Sequence, residues 1–341
     1  MAGARYPPEM AGPHLRTDPA RPPIARPRLV ERMAQRFERR LTLVVGGGGA
    51  GKTTLLTQAV EAATDHLDVV HACAPSDREP GRLLTNLLAA ARTALGTDEA
   101  TGPESMAAIG QLVLACSPRQ VCLVIDDVHQ LDRFDLVEEL LAELPANGHV
   151  LLAGRRRPAI DTARLDAAGQ LVEITQDDLL MTRDEQIAFA NLRGVDVALL
   201  EGAEGWPAFV ELASTGSEVR SRRYLEEEAL RGLAADRRRG LAAFAFVGGG
   251  DDEMAREVCG TPLGELVADL PLVRWDDEEA RLHDLWGELL ADELDDDDRG
   301  TAALKASGVH RRRGRFDQAI DLAALVGDWD DATQTLGTAV Q

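Results

Sequence analysis

Residues 46–54 read Gly46, Gly47, Gly48, Gly49, Ala50, Gly51, Lys52, Thr53 and Thr54. Residue types in this order suit the binding of a polyphosphate. Glycines let the main chain wrap closely around an anion and aim several N–H groups at its oxygens. A helix starting at Lys52 would present its positive end to the same charge. Lys52 is placed to reach β- and γ-phosphates, the Thr53 hydroxyl to ligate Mg²⁺, and Thr54 to lie near an α-phosphate. A merely flexible glycine turn is the competing reading, and the Lys-Thr pair at fixed spacing speaks against it. A second group follows the apolar run Val121–Ile125, where Asp126 and Asp127 stand side by side. Asp126 would hold Mg²⁺ directly or through water, since that ion takes carboxylate and water ligands. Asp127 would position an attacking water. An acidic cap on the next helix is the alternative for this pair. A third candidate is Arg155, which opens Arg155-Arg156-Arg157 just past another apolar run. A cation at the C-terminal end of a strand lies where α/β sheets bind ligands, so Arg155 reads as a γ-phosphate sensor or else as part of a solvated basic turn. The triplets 237–239 and 311–313 read as solvated helix faces.

These groups need elements to hold them. Leu41–Val45 is a short strand candidate that ends in the glycines, and Lys52–Ala63 has helical spacing. Further strands are expected at Val69–Ala72, Val121–Ile125, His149–Ala153 and Leu171–Ile174, with helices at Arg82–Leu95, Met106–Cys116 and Phe134–Leu144. Strands alternating with helices predict a parallel sheet covered on both faces. After about Thr175 the period is helical, apart from a hairpin candidate at Leu272–Trp275 and Ala280–Leu282. Helices around a small hairpin are compatible with a winged-helix module. Near the C-terminus Gly314-Arg-Phe-Asp-Gln-Ala319 is echoed thirteen residues later by Gly327-Asp-Trp-Asp-Asp-Ala332. Each copy reads as a tight turn, an aromatic anchor and a helix, as at the start of an α-solenoid. A solenoid needs about three repeats to bury its core, which predicts a longer protein.

Composition sets the outer bounds. The 341 residues are long enough for two or three domains, and 45% hydrophobic with 28% charged residues is ordinary for a globular protein. Net charge is −21, but the first forty residues carry nine Arg against four acids, so the rest carries −26. Such a chain is a poor non-specific nucleic-acid binder, and any DNA contact is assigned to a separate module. The four cysteines, Cys73, Cys116, Cys122 and Cys259, form no CxxC and no zinc-finger spacing, and they read as buried small hydrophobes in a reducing cytoplasm. Residues 1–27, rich in Pro and Arg, read as a flexible arm rather than a secretory signal. No apolar run approaches the ~18 residues of a membrane span.

Taken together the residues resemble the STAND NTPases, a class of P-loop NTPases, and within them the N-terminal part of large ATP-binding LuxR-type regulators. The similarity runs from about Pro27 to the end. Pro27-Arg28-Leu-Val-Glu31 resembles an entry motif whose Arg lies close to the nucleotide, which implies that role for Arg28. Asp126-Asp127-Val-His129 resembles the Walker B segment, and Leu152-Ala-Gly-Arg155 the sensor strand. Gly205-Trp206-Pro207 is similar to the G-x-P of a helical subdomain, which implies that Pro207 packs near the adenine. Tyr224-Leu-Glu-Glu-Glu resembles the start of a winged-helix domain. Leu282-His283-Asp-Leu-Trp286 resembles a motif whose histidine contacts the β-phosphate of ADP, which implies that role for His283. Arg311 through Leu336 resembles a linker into a superhelical sensor domain. Two features depart from the family: four consecutive glycines replace a mixed loop, and no helix-turn-helix output module is recognisable.

The expected architecture is thus an arm (1–27), an α/β P-loop NTPase core (28–175), a helical subdomain (176–218), a winged-helix-like domain (219–296) and the start of a helical-repeat domain (297–341). The expected ligands are ATP or ADP with Mg²⁺. The expected function is a cytoplasmic nucleotide switch of a regulator, self-associating with ATP and sensing an inducer or partner through the helical-repeat domain. Asp127, one methylene shorter than the Glu of many related ATPases, implies slow hydrolysis. A turnover ATPase of motor or loader type, and a nucleotide-stabilised scaffold, are the alternatives.

Overall fold

The computed structural model describes residues 22–63, 65–96, 104–216, 223, 225–230 and 232–339. Within it the chain forms two units, residues 1–216 and 217–341. The division falls two residues before the boundary expected at 218/219, and it keeps 28–175 and 176–216 together.

In the first unit the order is α1 (Pro27–Ala34), β1 (Leu41–Val45), α2 (Lys52–Ala62), β2 (Leu67–Ala72), α3 (Pro80–Leu95), α4 (Met106–Ala115), β3 (Val121–Asp126), α5 (Asp135–Glu143), β4 (Gly148–Gly154), α6 (Ala163–Ala167), β5 (Leu171–Ile174), α7 (Gln176–Leu179), α8 (Arg183–Arg193) and α9 (Pro207–Ala213). The five strands make one parallel sheet in the order β2-β3-β4-β1-β5. β3 and β4 are buried at every position, as continuous apolar runs in a doubly covered sheet should be. Alternate residues face opposite layers. Leu41, Leu43, Leu123, Ile125, Val150 and Leu152 share a core with Leu83, Leu87, Ile109, Val113, Val137 and Leu140 of α3, α4 and α5. The intervening Val44, Val124, Leu151 and Ala153 are equally buried, as are Leu29 and Met33 of α1 and Leu55, Leu56 and Ala59 of α2.

Several edges differ from expectation. β2 begins at Leu67, two residues earlier, because Asp68 is neutralised inside the fold: Arg36 donates to both its carboxylate oxygens at 2.9 and 2.7 Å. Of the expected arm, residues 1–21 lie outside the described residues. Arg26, by contrast, is buried and fixed, donating to the carbonyls of Leu179 and Leu180 and to Glu185 at 2.7, 2.8 and 2.9 Å. Pro27 then supplies the fixed φ that starts α1.

The second unit contains α10 (Ala235–Phe246), α11 (Asp252–Cys259), α12 (Leu263–Leu266), the antiparallel hairpin β6 (Val273–Asp276) and β7 (Glu279–Leu282), then α13 (Asp284–Leu289), α14 (Asp296–Arg312), α15 (Phe316–Leu325) and α16 (Trp329–Ala339). Gly250 forms an isolated antiparallel bridge to Ala280 on the edge of β7 away from β6. Trp286 is fully buried, and its Nε1 donates to the Pro271 carbonyl at 3.0 Å. Asp295 caps α14, whose first turn is acidic and last turn basic, in accord with its dipole. The expected start of the winged-helix segment at Tyr224 lies outside the described residues. In the echoed turns Phe316 is half-buried, and the aromatic anchor of the second copy is a correction. Trp329 is 68% exposed, while Ala319 and Ala332 are buried. The small alanines let the helices approach, and the indole at the first position of α16 faces water.

Candidate nucleotide-binding site

Parallel strands bring β1, β3 and β4 to one edge with their C-terminal ends together. Because β4 lies between β1 and β3, the loops after all three strands open side by side. The glycine loop follows β1, the acidic pair ends β3, and Arg155 follows β4.

Gly51 caps α2 with φ of +84°, a left-handed conformation that favours glycine, and a Cβ there would lie 3.4 Å from the Pro207 ring. At Gly46 a Cβ would lie 2.8 Å from Leu179 Cδ1, so a side chain at that position would collide with α7. The loop's carbonyls are turned toward the unit's own side chains and helices. Lys52 Nζ donates to the carbonyls of Gly46 and Gly47 at 2.6 and 3.0 Å. Trp206 Nε1 donates to the Gly48 carbonyl at 3.1 Å, and the Ala208 N–H to that of Gly49 at 3.1 Å. The Gln176 side-chain carbonyl accepts from the Gly47 N–H at 3.2 Å. The guanidinium carbon of Arg155 is 3.8 Å from where a Cβ on Gly48 would be, which puts this cation against the loop.

Thr53 Oγ1 donates to Asp126 Oδ2 at 2.7 Å. The other carboxylate oxygen accepts from the Asp127 N–H at 2.8 Å. Burial pushes the Asp126 carboxyl up, and the neighbouring Asp127 charge adds to this; the Thr53 and Asp127 hydrogen bonds and the Lys52 charge oppose it. A cation beside Asp126 would relieve that cost. Two cis ligands on an octahedral Mg²⁺ at ~2.1 Å are about 3.0 Å apart, near the 2.7 Å between the Thr53 and Asp126 oxygens. The all-oxygen donor set fits the same ion, and Thr53 and Asp126 are the residues that would hold it. Asp127 adopts φ of +54°, with its carboxylate 3.7 Å from His129 Nδ1.

The structure thus gathers Gly46 to Thr53, Asp126, Asp127, Arg155 and Pro207 at one sheet edge, with Thr54 in the first turn of α2. Arg28 donates to the carbonyls of Asp178 and Leu180 at 2.9 and 3.4 Å, on either side of the Leu179 that packs under Gly46. The more deeply fixed cation of this segment is Arg26. His283 belongs to the second unit, where it caps α13. Its Nδ1 accepts from the Leu285 N–H at 3.1 Å. Sequence reasoning passed over Trp206 and Gln176 as parts of the loop's support. Trp206 sat beside the flagged Pro207, and its indole donor was a signal for a buried partner. Gln176 carried none.

A family model described as an AAA domain matches residues 35–158. The matched segment spans β1 to the residues after β4, with both phosphate-side motifs inside it. The chain is 27% identical over 319 residues to the HTH-type transcriptional regulator MalT of Cronobacter sakazakii, covering 78% of this chain and 35% of the relative. It is 30% identical over 215 residues to MalT of Serratia proteamaculans, covering 55% of this chain and 23% of that protein. The chain thus spans about a third or less of the length of these two relatives. Among solved structures it is similar in fold to a Walker-type ATPase of Pyrococcus abyssi, with a TM-score of 0.52, 14% identity, and coverage of 80% of this chain and 98% of the other. Among the described residues no helix is long and apolar enough to cross a membrane.

Proposed function

We propose that this chain is the nucleotide-responsive part of a MalT-like regulator, binding ATP or ADP with Mg²⁺ at the glycine loop of its AAA domain. The observation that carries this reading is the Thr53–Asp126 pair, 2.7 Å apart, at the foot of a loop whose Lys52 already reaches back to Gly46 and Gly47. On binding nucleotide, Lys52 exchanges two carbonyl partners for phosphate oxygens, a charge-assisted and stronger bond. Thr53 and Asp126 hold the Mg²⁺, which supplies charge neutralisation at the phosphates. Arg155 faces the loop from the β4 side and senses the γ-phosphate. Asp127 orients water for hydrolysis. Its short side chain, lying near His129, favours slow turnover. Pro207, against Gly51, forms part of the adenine side of the site.

In this reading ADP holds a resting state. Replacement by ATP, promoted by an inducer or partner bound to the helical-repeat domain, releases that state and permits self-association. Taking such a switch from 1:99 to 99:1 needs about 5.5 kcal/mol of differential binding. DNA contact is assigned to a module outside these 341 residues, consistent with their net charge of −21.

The deciding measurement is the nucleotide released when protein purified without added nucleotide is denatured. Stoichiometric ADP is expected, together with a larger scattering radius in an ATP analogue than in ADP. An empty site with rapid multiple turnover on adding ATP would replace the switch by a cycling ATPase. Equal radii in both nucleotides, without turnover, would leave only a nucleotide-stabilised scaffold.

A further inference from the structure

The end of β2 carries a second group of ligand-type atoms, separate from the phosphate loop. His71 and Cys73 are two residues apart on extended backbone, which sends both side chains to the same side of the sheet. The 3₁₀ turn Pro75–Arg78 then brings Asp77 back beneath them. A ring nitrogen of His71, the Cys73 sulfur and a carboxylate oxygen of Asp77 all lie within 4.8 Å of one another. His71 Nε2 is 3.0 Å from Asp77 Oδ2. Cys73 and Asp77 are buried, and the imidazole is the more exposed member. Asp77 is oriented independently of His71: Oδ2 accepts from the Ala74 N–H at 2.9 Å and Oδ1 from Asn86 Nδ2 at 2.7 Å. Fixed outer partners of this kind are what aim a carboxylate at a metal.

We propose that His71, Cys73 and Asp77 form a site for a borderline-soft divalent transition ion of the Zn²⁺ class, with water as the fourth ligand. One sulfur, one imidazole nitrogen and one carboxylate oxygen form a tetrahedral set that Mg²⁺ does not favour. Tetrahedral Zn²⁺ bonds of 2.0–2.3 Å separate ligand atoms by about 3.4–3.6 Å, so side-chain shifts of about 1 Å or less close the present arrangement. Binding replaces the His71–Asp77 hydrogen bond by ligation of both groups. The Cys73 thiol gives its proton to solvent and keeps the electron pair for the metal, with no change of oxidation state. The site adjoins the oxygen site, since the Cys73 N–H donates to the Asp126 carbonyl at 2.9 Å, but shares no ligand with it. If the three residues serve only to close the turn, with Asp77 capping it and His71 pairing with Asp77, no metal is held.

The test is Co²⁺ titration of the full chain in excess Mg²⁺, followed by absorption. A thiolate-to-cobalt charge-transfer band saturating at one equivalent is expected, together with tetrahedral d–d bands. The charge-transfer band should vanish in Cys73→Ala, and affinity should fall at least tenfold in His71→Gln, a milder change at a partly exposed position. Zn²⁺ should chase the cobalt. No charge-transfer band in the unaltered protein would overturn the site whatever the variants do. So would a band that survives Cys73→Ala, or one that Mg²⁺ displaces.

Discussion

Replacing Trp206 by Phe tests how the phosphate loop is held. The indole is 2% exposed, and its N–H is the donor to the Gly48 carbonyl at 3.1 Å. Phe keeps most of the apolar ring but leaves that buried carbonyl unpaired, a cost of about 1–3 kcal/mol. The smaller ring adds roughly 1 kcal/mol of lost packing. The first unit should therefore lose about 2–4 kcal/mol, read as a lower urea midpoint at unchanged slope. The same loop should meet phosphate less well ordered, and nucleotide affinity is expected to fall about tenfold, which is 1.4 kcal/mol. Ala208→Pro is the companion without a cavity. It removes the donor to the Gly49 carbonyl at a first-turn position where proline is tolerated. Unaltered midpoints and unaltered nucleotide affinity in both variants would show that these bonds do not hold the loop, and the argument would fail.

Lys52→Ala should weaken nucleotide binding roughly 10–150-fold, from the loss of about 1.5–3 kcal/mol of charge-assisted bonding, and calorimetry showing wild-type affinity would remove the loop from the site. Asp126→Asn keeps a hydrogen-bond acceptor for Thr53 but removes the negative charge. The ratio of ATP affinity with Mg²⁺ to that in chelator should collapse toward one, and an unchanged ratio would relocate the metal. Glu185 gives a pH-dependent prediction. Burial raises its carboxyl, but the Arg26 and Thr182 hydrogen bonds and the Arg26 and Arg28 charges outweigh this and hold it below the ordinary 4.5. Its stabilisation is therefore present above that value and is lost as pH falls through it toward the folded pKa. Glu185→Gln should flatten the acid limb of stability below about pH 4.5, and an identical limb in the variant would refute the linkage.

The chemistry-bearing residues were legible because each belongs to a local pattern: a strand, a fixed spacing, a terminal charge. Lys52, Thr53 and Asp126 fall into this class, as do the five strands that carry them. What supports them was not legible, since its partners are remote in sequence. Trp206 reaches Gly48 across 158 residues, Gln176 reaches Gly47 across 129, and Arg26 reaches Leu179 across 153. No local periodicity encodes such pairs. The insertion of β4 between β1 and β3 was likewise hidden, because order within a parallel sheet depends on crossovers rather than on any strand's own residues. The start of β2 at Leu67 depends on a remote pair of the same kind, since Asp68 is buried against Arg36, 32 residues away in the chain. Trp329 misled the reading of the repeat, because a large aromatic at a repeated position suggested an anchor where the packing uses alanine.

The Arg26 clamp has a mechanical consequence. One guanidinium grips two successive carbonyls and a carboxylate at the corner between α7 and α8. From that corner Leu179 extends to within van der Waals reach of Gly46. A pull on the chain ahead of Arg26 therefore enters the fold at the foot of the phosphate loop rather than at a free end. In a force experiment with a handle at the N-terminus, tension and nucleotide would act on the same few ångströms of backbone, and the rupture force of the clamp would report occupancy of the loop.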